Sequence, residues 1–544
     1  MKNRALSLAG LLCMGVLLLQ AQDIAPLNKK VKQVLQQVDS NNIRRDITYL
    51  ADDRLKGRQP GQPGYQTAVD YVTEQFKQAG VAPGGDNGTY LQKLVLRRAG
   101  TDAKSVIAVL KDGAGNVDSL VSGKDIAVLP HGTEASVSAE GALVFVGYGL
   151  DIPGKYTDYQ GLDVKGKIVV MLMSAPASLN LPSTLSAHFA NPGSKIAIAI
   201  AKGAKGVIMV QASLPASNPG ITMAMDPAKT TAYSRTTYKE LLVMARISQP
   251  VLQRLFMQSG KNLKQVLASL EQGKPASVVL PLSASFQYKS VYNDIESYNV
   301  IGKIEGSDPQ LKNEYVVHTA HLDHVGIGTP VKGDSIYNGA HDNASGVASL
   351  LEIARTYKRL PAKPRRSILI VMVTAEEMGL LGSAYFAANP TVPKAQIVAD
   401  VNTDMPTLIA PLLSVAPLGA EHSSLEKNVA FACKELGIEM QKDPMPEEVR
   451  FVRSDQYSFV LQGIPALHIK YGIKTADPAF DLVKFTKEWR DANYHKPSDE
   501  ITNGFDFTAG RRYVQLNFLI SYSIAQTTVR PTWNKGDFFE KSVQ

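Results

Sequence analysis

The sequence predicts an α/β protein: a mostly parallel central sheet flanked by helices, with a second, β-rich unit inserted into the chain. Three observations predict it. From about residue 286 strand-like and helix-like segments alternate, as parallel strands joined by crossovers require. "RRSILIVMVTA" (365–375) is an unbroken apolar run of the kind found in strands buried on both faces. Between about 101 and 285, short β-like runs recur, separated by Gly, Pro and Asp.

The N-terminus comes first. Residues 1–22 have a basic start (Lys2, Arg4), an apolar run from Leu6 to Leu19 and a small residue, Ala21, which is the form of a signal peptide. Export to a periplasm or the extracellular medium is therefore expected. A lipid anchor at Cys13 is disfavoured, because Leu12 stands where such a site needs a small residue. Cleavage leaves one thiol, Cys433, so no internal disulfide can form and the exported chain must rely on its core. A chain of 544 residues exceeds what one core usually serves, so more than one unit is expected. The net charge of +8 comes without a Lys/Arg block interleaved with aromatics, which argues against nucleic acid as a partner. No later segment is apolar for the length of a membrane helix.

Residues 23–100 contain a Gly/Pro loop at 57–64 and an amphipathic helix at 65–79, with Ala68, Tyr71, Val72 and Phe76 on one stripe. The 101–285 unit holds "ALVFVGYG", "KIVVMLM", "GVIMV", "ARISQPV" and "ASVVLPL" as strands. Within it "GLDVKGK" (161–167) imitates a phosphate-binding loop. Ile168 replaces the hydroxyl residue and the segment runs into a strand, where such a loop must open a helix, so that reading is rejected. The 286–544 unit reads as strands "NVIGKIEG", "EYVVHTA", "SILIVMV", "QIVADVNTD" and "IPALHIKYG". Between them lie helices at "GVASLLEIARTYKRL", "MGLLGSAYFAAN" and "LEKNVAFACKELG", and a long closing helix at about 507–525.

In open α/β sheets the chemistry gathers at the carboxyl ends of the strands. Just beyond those ends lie His321 and Asp323, then Asp342, then Glu376 and Glu377, then Asp404, and after a longer loop His495. Acids converging in one crevice repel one another, and a bound cation resolves the conflict. Imidazole with carboxylate and no thiolate suits zinc, with manganese or cobalt as substitutes. Two histidines and these acids are enough for two ions sharing a carboxylate. On an extended segment His324 points away from His321, and His341 away from Asp342, so both are expected to be structural. His318 and His468, inside strands, are expected to be structural too. "NASG" (343–346) fits a glycosylation acceptor but would set sugar against the site, and is discounted.

"HLDHVG", "GAHDNASGVASLLEIA", "TAEEMGLLGS", "NTDM" and "YHKPSDE" resemble, in order, the motifs of the M28 family of co-catalytic dizinc aminopeptidases. "YLADDRLKGRQPGQPG" is similar to that family's N-terminal segment. "VFVGYG…YQGLDVKGKIVVML…KGAKGVIMV" resembles the protease-associated (PA) domain often inserted in it. The resemblance implies an exopeptidase acting on peptides with a free N-terminus through metal-activated hydroxide and a glutamate base. It implies two zinc ions, with His321 and Glu377 on the first, Asp404 and His495 on the second, and Asp342 bridging. Asp323 would orient the His321 imidazole, Glu376 would be the general base, and the Asp342–Asn343 peptide would be cis. "RSDQYSFVLQGIPA" is similar to the stretch before the last ligand strand, which makes Asp455 and Tyr471 candidate substrate-binding residues. Two alternatives share the fold: a carboxypeptidase, for which Arg450 and Arg453 offer a basic pocket, and a glutaminyl-cyclase-like acyl transferase, which works with one zinc and has no need of His321. Receptor ectodomains of the same fold have lost their ligands, whereas this chain keeps them.

Overall fold

The computed structural model describes residues 24–212, 222–224 and 238–541. The signal peptide expected at 1–22, with Cys13, lies outside the described residues. In chain order, helices α1 (Ser40–Leu50) and α2 (Pro63–Gln78) precede strand β1 (Leu91–Thr101). The inserted unit contributes β2 (Ser136–Phe145), β3 (Ile168–Leu172), β4 (Gly206–Gln211) and β5 (Val243–Ser248). Strand β6 (Val278–Ile304) leads back into β7 (Tyr315–His321), α3 (Ser345–Lys358), β8 (Ser367–Val373), α4 (Leu381–Ala388) and β9 (Ile397–Asn402). Then come β10 (Ser414–Leu418), α5 (Glu426–Leu436), β11 (Ala466–Tyr471), α6 (Leu482–Asn493) and α7 (Phe507–Gln526).

The central sheet runs β1–β6–β8–β7–β9–β11–β10. Its middle four strands, β8, β7, β9 and β11, are mutually parallel; β6 and β10 pair antiparallel at either side. Every residue of β8 and β9 is buried, as their unbroken apolar runs require, since helices cover both faces. On one face α1, α3 and α7 supply Ile43, Ile47, Leu350, Leu351, Tyr513 and Leu516 to a common core. On the other, Phe386 of α4 packs with Phe459 under β8. Cys433 sits buried in α5, where burial pushes its thiol up to about 12, so it serves as an inert core residue.

The inserted unit has its own sheet, with β2, β3, β4 and β5 in parallel succession and cores on both faces. The boundary expected at 285/286 falls inside β6, which is one continuous strand of 27 residues. Its first half pairs with β2 as far as Lys289, and from Ser290 it pairs with β1 in the central sheet. The strand alternates buried and more exposed residues from Val278 to Val291, so nothing in its local pattern marks the hand-over between Lys289 and Ser290. The two units also touch through His188, whose Nδ1 is hydrogen-bonded to the Tyr457 hydroxyl. Among the described residues no helix is long and apolar enough to cross a membrane.

Candidate metal centre

The parallel strands end at one rim and deliver the acids and imidazoles there. His321 is the last residue of β7; Glu376 and Glu377 follow the end of β8, and Asp404 follows β9. Asp342 lies in the turn that opens α3, and its peptide bond to Asn343 is cis, as the resemblance implies. His495 follows α6. Asn343 is fully buried, so it is no sugar acceptor.

Asp342 stands at the centre of two groups. Its Oδ1 lies 3.1 Å from His321 Nε2, which in turn is 3.3 Å from Asp404 Oδ1. Its Oδ2 lies 3.1 Å from His495 Nε2, which is also 3.1 Å from Glu377 Oε2. Donors about 2.0–2.1 Å from a tetrahedral zinc stand about 3.3 Å from one another, so both groups have the spacing of a zinc shell. The donors fit the metal in kind and in separation, with Asp342 giving one oxygen to each position. In the closest contacts Asp404 joins His321 and Glu377 joins His495, where the resemblance implied Glu377 with His321 and Asp404 with His495; Glu376 and Glu377 also lie within reach of His321. The reason is topological. β7 pairs with both β8 and β9, so the turns decide: the turn after β9 brings Asp404 onto His321, whereas the turn after β8 carries Glu377 to the loop after α6.

Charge in the cluster is strongly coupled. Burial opposes a charge on His321, yet Glu376, Asp342 and Asp404 hold its imidazole well above the ordinary value. His495 is raised to about 10 by Asp342 and Glu377 against its own burial. Asp342 is held well below the usual carboxylate range by hydrogen bonds from His321 and His495 that outweigh its burial. These imidazoles therefore bind protons where a cation would take their lone pairs. His495 holds a proton below about 10, so zinc must displace it there. Apparent zinc affinity is expected to rise between pH 6 and 9, about tenfold per pH unit for each proton displaced. Competition titrations against a chromogenic chelator check this; an affinity independent of pH would contradict it.

Glu376 lines the cavity beside Asp342 and Asp404. Burial first, and then the charges of Asp404, Asp455 and Glu377, hold its carboxyl well above the ordinary range, the direction a proton acceptor needs. Asp323 is placed differently from expectation. His321 Nδ1 donates to the Asp323 main-chain carbonyl at 3.1 Å, while the nearer carboxylate oxygen is 3.9 Å away. The Asp323 carboxylate instead accepts from the main-chain N–H groups of Glu376 and Glu377, at 3.2 and 3.3 Å, and so sets the turn that carries them.

Neither candidate substrate residue meets the cavity. The Tyr471 hydroxyl donates to the Ala410 carbonyl at 2.8 Å, and its ring packs against the main core. Asp455 is wholly buried behind Glu376, where burial raises it to about 7. His324 also departs from expectation: its Nδ1 lies 2.8 Å from Glu377 Oε1, within the group formed by Asp342, Glu377 and His495. β7 stops at His321, so strand alternation no longer governs which way residue 324 points. His341 does turn away, stacked on Phe505 with ring centroids 3.7 Å apart. His318 is buried inside β7 and His468 bonds to the Asp404 carbonyl at 2.9 Å; neither joins the cluster.

The chain's segment 299–518 matches the family described as peptidase family M28. That match covers less than half of the chain. It is similar to probable leucine aminopeptidase 2 of Aspergillus fumigatus, 29% identical over 234 residues, which are 41% of this chain and 43% of that one. It is also similar to leupeptin-inactivating enzyme 1 of Streptomyces exfoliatus, 29% identical over 249 residues, or 45% of this chain and 52% of that one. The chain thus spans about half the length of the curated relatives it matches. Among solved structures, an aminopeptidase from Aneurinibacillus sp. strain AM-1 is 20% identical, with a TM-score of 0.47 over 91% of this chain and 96% of that one.

Three further residues hold this site together: Arg58, Asp499 and Gly339. Arg58, fully buried, donates to the carbonyls of Leu50, Leu322, Asn338 and Gly339, tying the loop after β7 to the loop before α3. It lies in the "RLKGRQPG" stretch already seen to be family-like, but its partners are 264 and more residues away for three of these bonds. Asp499, within "YHKPSDE", accepts from the N–H groups of His341 and Asp342 at 2.9 and 3.0 Å and fixes the bridging residue's backbone. Gly339 has φ +61°, and a Cβ there would sit 2.2 Å from the Asp342 carbonyl oxygen and 2.6 Å from the His324 ring. Arg58→Met should strand four buried carbonyls and cost about 3 kcal/mol or more. Urea unfolding of the metal-loaded chain measures it; a loss under about 1 kcal/mol would show that the clamp is redundant.

Proposed function

We propose that this protein is an exported dizinc aminopeptidase that removes N-terminal residues from peptides. The observation that carries this reading is the division of the Asp342 carboxylate between two separate histidine–carboxylate pairs, with Glu376 beside both. His321 and Asp404 would hold one zinc, Glu377 and His495 the other, and Asp342 both; manganese or cobalt suits the same donors. When bound, such ions polarise the scissile carbonyl and make water acidic enough to attack it. Glu376 then takes the proton from water at its exposed edge and returns it to the departing amine. His324 holds the free oxygen of Glu377, and Asp323 holds the turn, so that the two adjacent glutamates face different ways. A free α-amine on the substrate is drawn to the acids at the rim.

Export rests on the form of residues 1–22, and the reading of the inserted unit as a PA domain rests on its motif resemblance; that unit would limit access to chain ends. The experiment is a metal analysis of the purified chain together with two substrates, an aminoacyl-p-nitroanilide and the same compound N-acetylated. Two equivalents of metal and cleavage of the free form alone are expected. Cleavage of both, or of neither, would overturn the aminopeptidase reading.

A further inference from the structure

Glu377 is a donor within reach of both metal positions. It stands in one group with His324, Asp342 and His495 and in another with His321 and Glu376, the donor atoms of each group lying within 4.8 Å of one another. A carboxylate so placed can serve either position, or close both oxygens on one ion. Nothing in its own chemistry chooses; its neighbour does. His324 Nδ1 donates to Glu377 Oε1 at 2.8 Å, which leaves Oε2 beside His495 Nε2 at 3.1 Å. An ionised carboxylate only accepts, so Nδ1 carries the hydrogen and is not free to ligate. The other ring nitrogen, Nε2, is buried without a hydrogen-bond partner, so among the described residues the ring spends its polar contact on Glu377.

The ring is fixed in place. It is wholly buried and lies edge-on to the His495 ring, with centroids 5.6 Å apart. It also faces Gly339, where a Cβ would sit 2.6 Å away. Arg58 ties Leu322 to Gly339 on either side of it. Leaving an imidazole nitrogen buried and unpaired destabilises a fold, and an apolar side chain would fill this space without that cost. The histidine is therefore explained by what its Nδ1 holds.

We propose that His324 is a positioning residue that assigns Glu377 to the His495 position as a one-oxygen donor, and so makes the affinity of that position separately adjustable. The proposal rests on the dizinc reading and deepens it.

The test reads metal binding. The metal-free full chain is titrated with zinc by calorimetry, unmodified and as His324→Leu and His324→Asn. The Asn amide nitrogen stands where Nδ1 does and can donate in its place. His324→Leu is expected to bind its first equivalent as the unmodified chain does and its second about ten- to a hundredfold more weakly, as happens when a contact behind a metal ligand is lost. His324→Asn should regain most of that loss. Unchanged affinities in His324→Leu, an equal loss of both ions, or a loss that His324→Asn does not recover overturns the proposal and leaves a packing histidine. Where His324→Leu does not fold, nitrogen NMR of the unmodified zinc-loaded chain decides: His324 Nδ1 must carry its hydrogen, and a bare Nδ1 overturns the proposal. If the unmodified chain binds only one equivalent, the dizinc reading fails. The proposal is then judged on that ion alone: His324→Leu must weaken it and His324→Asn restore it.

Discussion

Glu376→Ala is expected to lower kcat by roughly 10²–10⁴-fold while both metal ions stay bound. The two halves of that expectation come from different contacts. The metal positions draw on His321, Asp342, Glu377, Asp404 and His495, whose donor atoms stand 3.1–3.3 Å apart. Glu376 lies in the same cavity wall but makes none of those closest contacts. It is also the acid whose carboxyl is driven up by burial and by Asp404, Asp455 and Glu377, as a proton acceptor needs. Glu376→Gln keeps the shape without the basicity and should be equally inactive. Metal content by mass spectrometry, measured on the same preparations as kcat, decides the matter. Loss of an ion with the activity would mean that the roles of the two adjacent glutamates are exchanged.

Asp342→Ala should instead empty both positions, whereas Asp404→Ala and Glu377→Ala should each cost one ion first. Asp342 alone contributes an oxygen to each group, Oδ1 toward His321 and Oδ2 toward His495. Removing it leaves two facing pairs, His321 with Asp404 and Glu377 with His495, each one ligand short. Activity should fall below detection. Thermal stability should cease to respond to added zinc, because a ligand stabilises the fold only as far as it binds the folded state. Titration of zinc into the metal-free variants, with stoichiometry from calorimetry, separates the outcomes. If Asp342→Ala retained one tight equivalent, the shared carboxylate would not be the hinge of the site.

Much of this is legible in the sequence. The buried run of β8 and the alternation of strands with helices follow from local apolar periodicity, and so does the gathering of acids at strand ends. The ligand candidates were read from residue types at those ends together with the order of the family-like motifs. What stayed hidden shares one property: it depends on where the chain goes after a regular element stops. His324 was assigned away from the site by strand alternation, which had already ended at His321. The Asp323 carboxylate was given to His321, but the turn presents its carbonyl there instead. Tyr471 and Asp455 sit next to the right strand and helix yet face the core and the back of Glu376. The boundary near 285 lies inside β6, which keeps its alternation across the change of sheet at Ser290.

By itself the sequence determined the fold class and the acids and imidazoles that stand at the strand ends. Periodicity and donor chemistry are properties of residues and their near neighbours. The pairing of those donors, the turn held by Asp323 and the Arg58 clamp were decided only by tertiary structure. Each depends on which distant segments the packed sheet brings within a few ångströms of one another, and a chain read in one dimension carries no measure of that distance.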